Sequence, residues 1–294
     1  MPIVQSSPAA RWAGLPEIGP VHDLRVGPEQ LPTSTRCLVM GVVNVTPDSF
    51  SEGGAHAGTE AAVAHALDLA AAGADLLDVG GESTRPGAAY VDEAVELARV
   101  VPVVLRLAAL TEVPISVDTR KAAVALAALA AGAAMVNDVS AGRDDPALLP
   151  AVAEAGVPVV LMHMQGDPRT MQQAPSYDDV VTEVRDFLVA RADAAARAGV
   201  DEVWIDPGIG FGKTVSHNLT LLKHLRVLAG TGHPVLVGTS RKSFLGKLTD
   251  GEVDDRLEGS LATSTWAMIE GASMVRVHDV EPAVQAAHLV GEVT

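Results

Sequence analysis

Eight times between Cys37 and Val290 a short apolar run breaks off into glycines, hydroxyls, amides or charges. The runs are Leu38 to Val43 (ending at Asn44), Leu76 to Gly80, Ile115 to Asp118, Met135 to Val139, Pro158 to His163, Val203 to Gly208, Pro234 to Gly238 and Met274 to His278. They are continuously apolar rather than alternating, which is the signature of strands buried on both faces, as in a parallel sheet. An alanine-rich stretch follows most of them, and several of these close on a glycine, at Gly73, Gly132, Gly156, Gly199 and Gly271. A glycine at that point is the ordinary helix stop. Eight strand-then-helix units predict a (β/α)8 TIM barrel. The other doubly covered parallel architecture, an open sheet, is disfavoured by the count of eight and by the lack of a Gly-x-Gly-x-x-Gly turn after the first strand.

Helices are predicted from Thr59 or Glu60 to Gly73, and over Asp92–Leu110, Lys121–Ala131, Pro146–Glu154, Tyr177–Arg197, Val215–Leu228, Arg256–Glu270 and Glu281–Val290. The segment from Met164 to Ser176 is too long and polar for a plain connection and reads as a functional loop. Residues 1–36 carry Ser-Pro and Gly-Pro pairs without a sustained period, so they are expected to be an extension, partly disordered or lying over the surface. Residues 37–294 form the barrel. The apolar positions Val280, Ala283, Ala287 and Leu289 offer the last helix as a face for a second copy.

With 21 basic and 37 acidic residues the chain carries −16. Nucleic acid and anionic membranes need clustered cations, so neither is an expected partner. An anionic small molecule must then be held by a local group of cations. The single Cys37 excludes an intramolecular disulfide, and no apolar run has the length of a membrane span. With no secretory signal pattern in Met1 to Pro32, the expected compartment is the cytoplasm.

Polar groups collect at the strand exits: Asn44, the Thr84-Arg85 loop, Asp118, Asn137, Met162-His163, Asp206, Ser240-Arg241-Lys242, and Arg276 with His278. Any one Asp or Asn there is more often a helix cap or turn former. The asymmetry is what turns and caps leave unexplained, because the opposite strand ends are plain Ala, Gly, Val and Pro. Asp118, Asn137, Asp206 and Lys242 make a donor–acceptor array suited to the edge of a flat nitrogen heterocycle. Asn44, Thr84, Arg85, Arg276 and His278 are neutral or cationic groups suited to phosphate oxygens and, through an amide oxygen, to a hard divalent ion. Three features take structural readings. Asp78 to Gly81 is barrel framework, His163 is a core histidine bonded to backbone, and Gly208-x-Gly210-x-Gly212-Lys213 lacks Walker spacing and is a turn-rich exit.

From about residue 37 to 290 the chain resembles the dihydropteroate synthase family. The segments that carry the likeness are Gly41 to Gly54, Gly80 to Ala88, Ser116-Val117-Asp118-Thr119, Asn137-Asp138-Val139-Ser140, Leu161-Met162-His163-Met164, Asp206 to Lys213, Ser240-Arg241-Lys242-Ser243 and Arg276-Val277-His278-Asp279. The resemblance implies condensation of 6-hydroxymethyl-7,8-dihydropterin diphosphate with p-aminobenzoate, giving 7,8-dihydropteroate and diphosphate. It implies pterin contacts from Asp118, Asn137, Asp206 and Lys242, with Met162 near the ring. It places Thr84, Arg276 and His278 around the diphosphate and Mg²⁺ on Asn44. Phe50, Thr84, Arg85, Pro86 and Ser243 would surround p-aminobenzoate, where sulfonamides compete in this family. Asp118, Lys242, Arg276 and His278 would carry the chemistry, and the enzyme would be a homodimer. A pterin-dependent methyltransferase would share the barrel and the heterocycle array but lack the Thr84-Arg85-Pro86 and Ser240-Arg241-Lys242-Ser243 elements. A non-catalytic paralogue would keep the barrel and lose the site.

Overall fold

The computed structural model describes residues 23–26, 29–33, 35–45, 54–85, 87–249, 252 and 255–293. A hairpin of β1 (Leu24–Val26) and β2 (Glu29–Leu31) precedes the regular alternation. This begins with β3 (Leu38–Asn44), α1 (Gly54–Ala71), β4 (Leu76–Gly80), α2 (Glu93–Ala108), β5 (Ile115–Asp118) and α3 (Ala122–Ala130). It continues with β6 (Met135–Asp138), α4 (Leu148–Ala155), β7 (Val159–Met162), α5 (Val180–Arg197), β8 (Val203–Asp206), α6 (Val215–Lys223) and α7 (Arg226–Ala229). The last elements are β9 (Leu236–Val237), α8 (Ser243–Thr249), α9 (Leu257–Ile269), β10 (Met274–Val277) and α10 (Val280–Val293).

All eight apolar runs are strands, and they pair in parallel in the order β8-β7-β6-β5-β4-β3-β10-β9. A parallel bridge between Ile205 and Val235 joins the two ends, with the Ile205 amide donating to the Pro234 carbonyl at 3.0 Å. The sheet therefore closes into the (β/α)8 barrel, and its C-terminal strand ends face one way. The outward faces of the strands pack on the helices through Val and Ala, as with Val39, Val43, Val79 and Val117 against Ala62, Ala66, Val100 and Ala125.

The N-terminal mouth is filled by first-turn strand residues, Leu38, Leu76, Met135, Val160, Trp204, Leu236 and Met274. Leu24 and Val26 of the hairpin pack into the same cluster while Arg25 between them is exposed. Sequence patterning assigns no element to this stretch. Three residues of period-two alternation are too few to stand out without the plugged barrel mouth that orders them.

Helix edges differ in physically legible ways. Helix α1 starts at Gly54, upstream of the expected Thr59. The expected Val215–Leu228 helix divides into α6 and α7 at His224, whose φ of −119° and ψ of 28° leave the helical region. The short α8 is an addition to the expected elements. On α10 the side chains of Val280, Ala283 and Ala287 are buried in the barrel shell, leaving only Leu289 of the four apolar positions exposed. That corrects the reading of this helix as a face for a second copy. The stripe is the helix's own packing surface.

Candidate active site

The strand exits surround a cavity of about 250 Å³ at the C-terminal face. Asn44, Thr84, Arg85, Asp118, Asn137, Met162, Asp206, Lys242, Ser243, Arg276 and His278 all line it. Of the residues expected at the site, Phe50 and Pro86 lie outside the described residues. The side chains converge because β3 to β10 run in parallel register. Gly80 pairs with Asp118, Asp118 with Asn137, and Met162 with Asp206, so one layer of the barrel carries most of the array.

Beneath that layer lies a charged floor. The Arg276 guanidinium donates through Nε to Asp78 Oδ2 at 2.6 Å and through Nη2 to Asp118 Oδ2 at 2.9 Å. Asn137 Nδ2 donates to the same Asp78 oxygen at 3.0 Å. Asp78 is fully buried, and the expectation that it is mere framework needs correction. It is the anchor that orients both Arg276 and Asn137. The available signal is a carboxylate inside an otherwise apolar, doubly buried strand, a placement tolerated only with partners. Arg276, in turn, is committed to two carboxylates within the floor.

Burial is the main electrostatic cause here. It pushes Asp118 up to about 7, the attraction of Arg276 being outweighed and the neighbouring carboxylates of Asp78, Glu96 and Asp138 adding to the rise. Asp206 is likewise raised by burial, against Lys242 and the Gly208 amide, which donates to Asp206 Oδ1 at 2.7 Å. Lys242 is brought down to about 8 by burial, with Asp206 opposing and Arg276 assisting. Its ammonium donates to the Ile209 carbonyl and lies 4.8 Å from the centre of the Phe211 ring. Phe211 lines the cavity with Met162, Met171 and Val139 as an apolar wall, and no pattern in the sequence singles it out. Such a wall suits the face of a planar ring whose edge meets polar groups.

Around the rim, His278 Nδ1 lies 3.0 Å from Ser240 Oγ. Burial and then the guanidiniums of Arg276, Arg241 and Arg85 hold this imidazole at about 3, so it is neutral. Arg241 pairs with Asp279 at 2.6 Å and takes a left-handed φ of 56°. On the opposite side, Glu82 accepts from Arg120 Nη2 and Lys121 Nζ, both at 2.7 Å. These pairs fix the root of the loop that carries Thr84 and Arg85. The Gly87 amide further along donates to the Pro168 carbonyl at 2.9 Å, tying this loop to the one after β7.

The family model described as pterin binding enzyme matches residues 40–278. The dihydropteroate synthase of Escherichia coli (strain K12) is 48% identical over 254 residues, spanning 86% of this chain and 90% of that protein. Among solved structures, Xanthomonas albilineans dihydropteroate synthase with 4-aminobenzoic acid superposes with a TM-score of 0.87 at 52% identity, covering 93% of this chain and 98% of that one. The same enzyme in complex with 7,8-dihydropteroate gives 0.83 at 50% identity, covering 92% and 98%. The chain belongs to the pterin-binding enzyme family, whose barrel it carries.

Proposed function

We propose that the cavity is the active site of a dihydropteroate synthase, a transferase that joins 6-hydroxymethyl-7,8-dihydropterin diphosphate to p-aminobenzoate. The observation that carries this reading is the coexistence, in one cavity, of a polar edge, an apolar wall and a cationic rim. The relatives named dihydropteroate synthase support it at 48% identity over most of both chains. Asp118, Asn137, Asp206 and Lys242 bind the edge of the pterin, and Met162 packs against its face. Carboxylates accept from the amino and ring N–H groups, while amide and ammonium donate to the oxo and ring-nitrogen acceptors.

Thr84 and His278 attend the diphosphate, and Arg276 does so through the guanidinium N–H groups that Asp78 and Asp118 do not engage. Because His278 is neutral in the free protein, it meets the first phosphate oxygen as a one-proton donor, and the arriving anion then favours its protonation. Asn44, which lines the cavity, would offer Mg²⁺ a neutral hard oxygen of the kind that ion accepts, so the residue fits the ion. When bound, Mg²⁺ supplies charge neutralisation for the departing diphosphate. Phe50, Thr84, Arg85, Pro86 and Ser243 receive p-aminobenzoate, and sulfonamides compete for the same surroundings.

The reaction runs by loss of diphosphate from the pterin methylene carbon, with the C–O electron pair leaving on oxygen. The resulting cation is attacked by the arylamine lone pair, forming the C–N bond and releasing one proton. The Asp118 carboxylate favours the cation. At ~4 Å and an effective dielectric near 20, this attraction amounts to about 4 kcal/mol. That is worth roughly a thousandfold in rate, so the rim and the floor are both needed. The apolar wall keeps water from capturing the cation. The enzyme acts as a cytoplasmic homodimer.

The test is a diphosphate-release assay with pterin diphosphate and Mg²⁺, run with and without p-aminobenzoate. Release coupled to dihydropteroate formation is the expected result. No release under these conditions excludes the synthase.

A further inference from the structure

Lys213 is the one charged residue of the Gly208-x-Gly210-x-Gly212-Lys213 stretch, and neither the pterin array nor the rim uses it. It is 2% exposed, its hydrogen-bond partners are all neutral, and burial pulls it well below the usual lysine range, with the nearby Asp206 carboxylate opposing. It lies 2.9 Å from His163 Nδ1, 2.9 Å from the Phe211 carbonyl oxygen and 3.0 Å from that of Gly208. A fourth acceptor, the His163 carbonyl, is at 3.3 Å. An ammonium has three N–H groups, and the three short contacts saturate them. Burial first, then the charges of Lys213 and Arg143, hold His163 neutral, which leaves a ring nitrogen free to accept. Phe187 and Tyr177 pack on that ring, Phe187 edge-on at 4.9 Å, and so fix its plane.

The acceptors belong to two strand exits. Gly208 and Phe211 lie on the turn after β8, and His163 on the exit of β7. That turn carries the Gly208 amide bonded to Asp206, the Ile209 carbonyl that accepts from Lys242, and the Phe211 ring under the Lys242 ammonium. Gly208 itself has φ +64°, and a Cβ there would collide with the His163 carbonyl. The chain is thus drawn back across β7 at closest approach, with Lys213 as the tie.

We propose that Lys213 is a positioning residue for the heterocycle half of the site, its ammonium lacing the β8 exit turn to His163 so that Asp206, Phe211 and Lys242 hold their mutual geometry. The inference deepens the pterin-binding reading and rests on it. A buried cation kept among neutral acceptors is costly for packing alone, whereas a methionine of similar length would fill the same volume.

Two measurements on Lys213→Met, each against wild type, test it. The first is amide hydrogen exchange over residues 207–213, which needs no substrate. At least tenfold faster exchange there, with the rest of the barrel unchanged, is expected. The second is steady-state kinetics, where KM for pterin diphosphate should rise at least tenfold and KM for p-aminobenzoate should stay within about threefold. His163→Gln, which keeps a polar partner for the ammonium, should lie closer to wild type than His163→Leu in both measurements, and this pair serves if Lys213→Met does not accumulate. Unchanged exchange, or equal loss for both substrates in step with falling thermal stability, overturns the proposal. Altered exchange in a protein whose wild type forms no dihydropteroate would overturn the substrate assignment and leave the tie itself standing.

Discussion

Asp118 and Lys242 sit in the same cavity with their titrations pushed towards each other, Asp118 up to about 7 and Lys242 down to about 8. The proposed chemistry needs the carboxylate and the ammonium. A carboxyl raised by burial is protonated below about 7, so activity should be lost on the acid side. An amine lowered by burial is neutral above about 8, so activity should be lost on the alkaline side as well. The pH profile of kcat/KM for the pterin substrate reports the free enzyme and should be a narrow bell between those limits. The profile of kcat should extend further to acid, since the amino and ring N–H groups of the bound pterin donate to the carboxylate and favour its ionised form. Asp118→Asn should cost roughly a thousandfold in kcat and remove the acid limb. A variant that turns over at the wild-type rate would remove Asp118 from the chemistry. At this scale the sequence is legible where a polar residue ends an apolar run, as Asn44, Asp118 and Asp206 do, each the last residue of its strand. It is poorly legible at Asp78, in mid-strand, because its partners Arg276 and Asn137 are distant in sequence and meet it only through barrel closure.

The strands are the elements that sequence places best, since double burial demands an uninterrupted apolar run and the polar exit marks its end. The short α8 and the division between α6 and α7 follow local backbone turns, with no change in hydrophobic pattern to announce them. The β1–β2 hairpin is the opposite case, an element whose order comes wholly from what it covers. Leu24 is fully buried against the strand residues of the N-terminal mouth, on the face of the barrel away from the cavity. Leu24→Ala should therefore lower unfolding free energy by about 2–5 kcal/mol, the range for a large-to-small change in a packed core. This end of a barrel serves stability rather than chemistry, so kcat and both KM values should stay within about twofold. Chemical denaturation beside steady-state kinetics checks both halves. Wild-type stability in Leu24→Ala would mean that the hairpin merely rests on the barrel.

Over the whole molecule, closure of the sheet by the Ile205–Val235 bridge is predictable from the count of eight, but the surface is not. Sequence offers α10 for a second copy, yet three of its four apolar positions are consumed by its own barrel. Two exposed apolar side chains on neighbouring helices are Leu219 on α6 and Trp266 on α9, at 41% and 47% exposure. The Trp266 indole N–H donates to the Leu222 carbonyl at 3.0 Å, so the ring is fixed across the two helices with much of its surface outward. Aromatic side chains held rigid and half-exposed are what interface centres are built from. The proposed homodimer should therefore form through α6 and α9. Sedimentation equilibrium is expected to give twice the 30.3 kDa chain mass for wild type. Trp266→Glu and Leu219→Glu each place a charge in that apolar centre and should yield monomers that still show a cooperative thermal transition. Two variants are needed because Trp266 also bonds α6, and its loss alone would disturb the monomer. A wild type that sediments at the single-chain mass refutes the dimer. A dimer that survives both substitutions moves the interface to another face of the barrel.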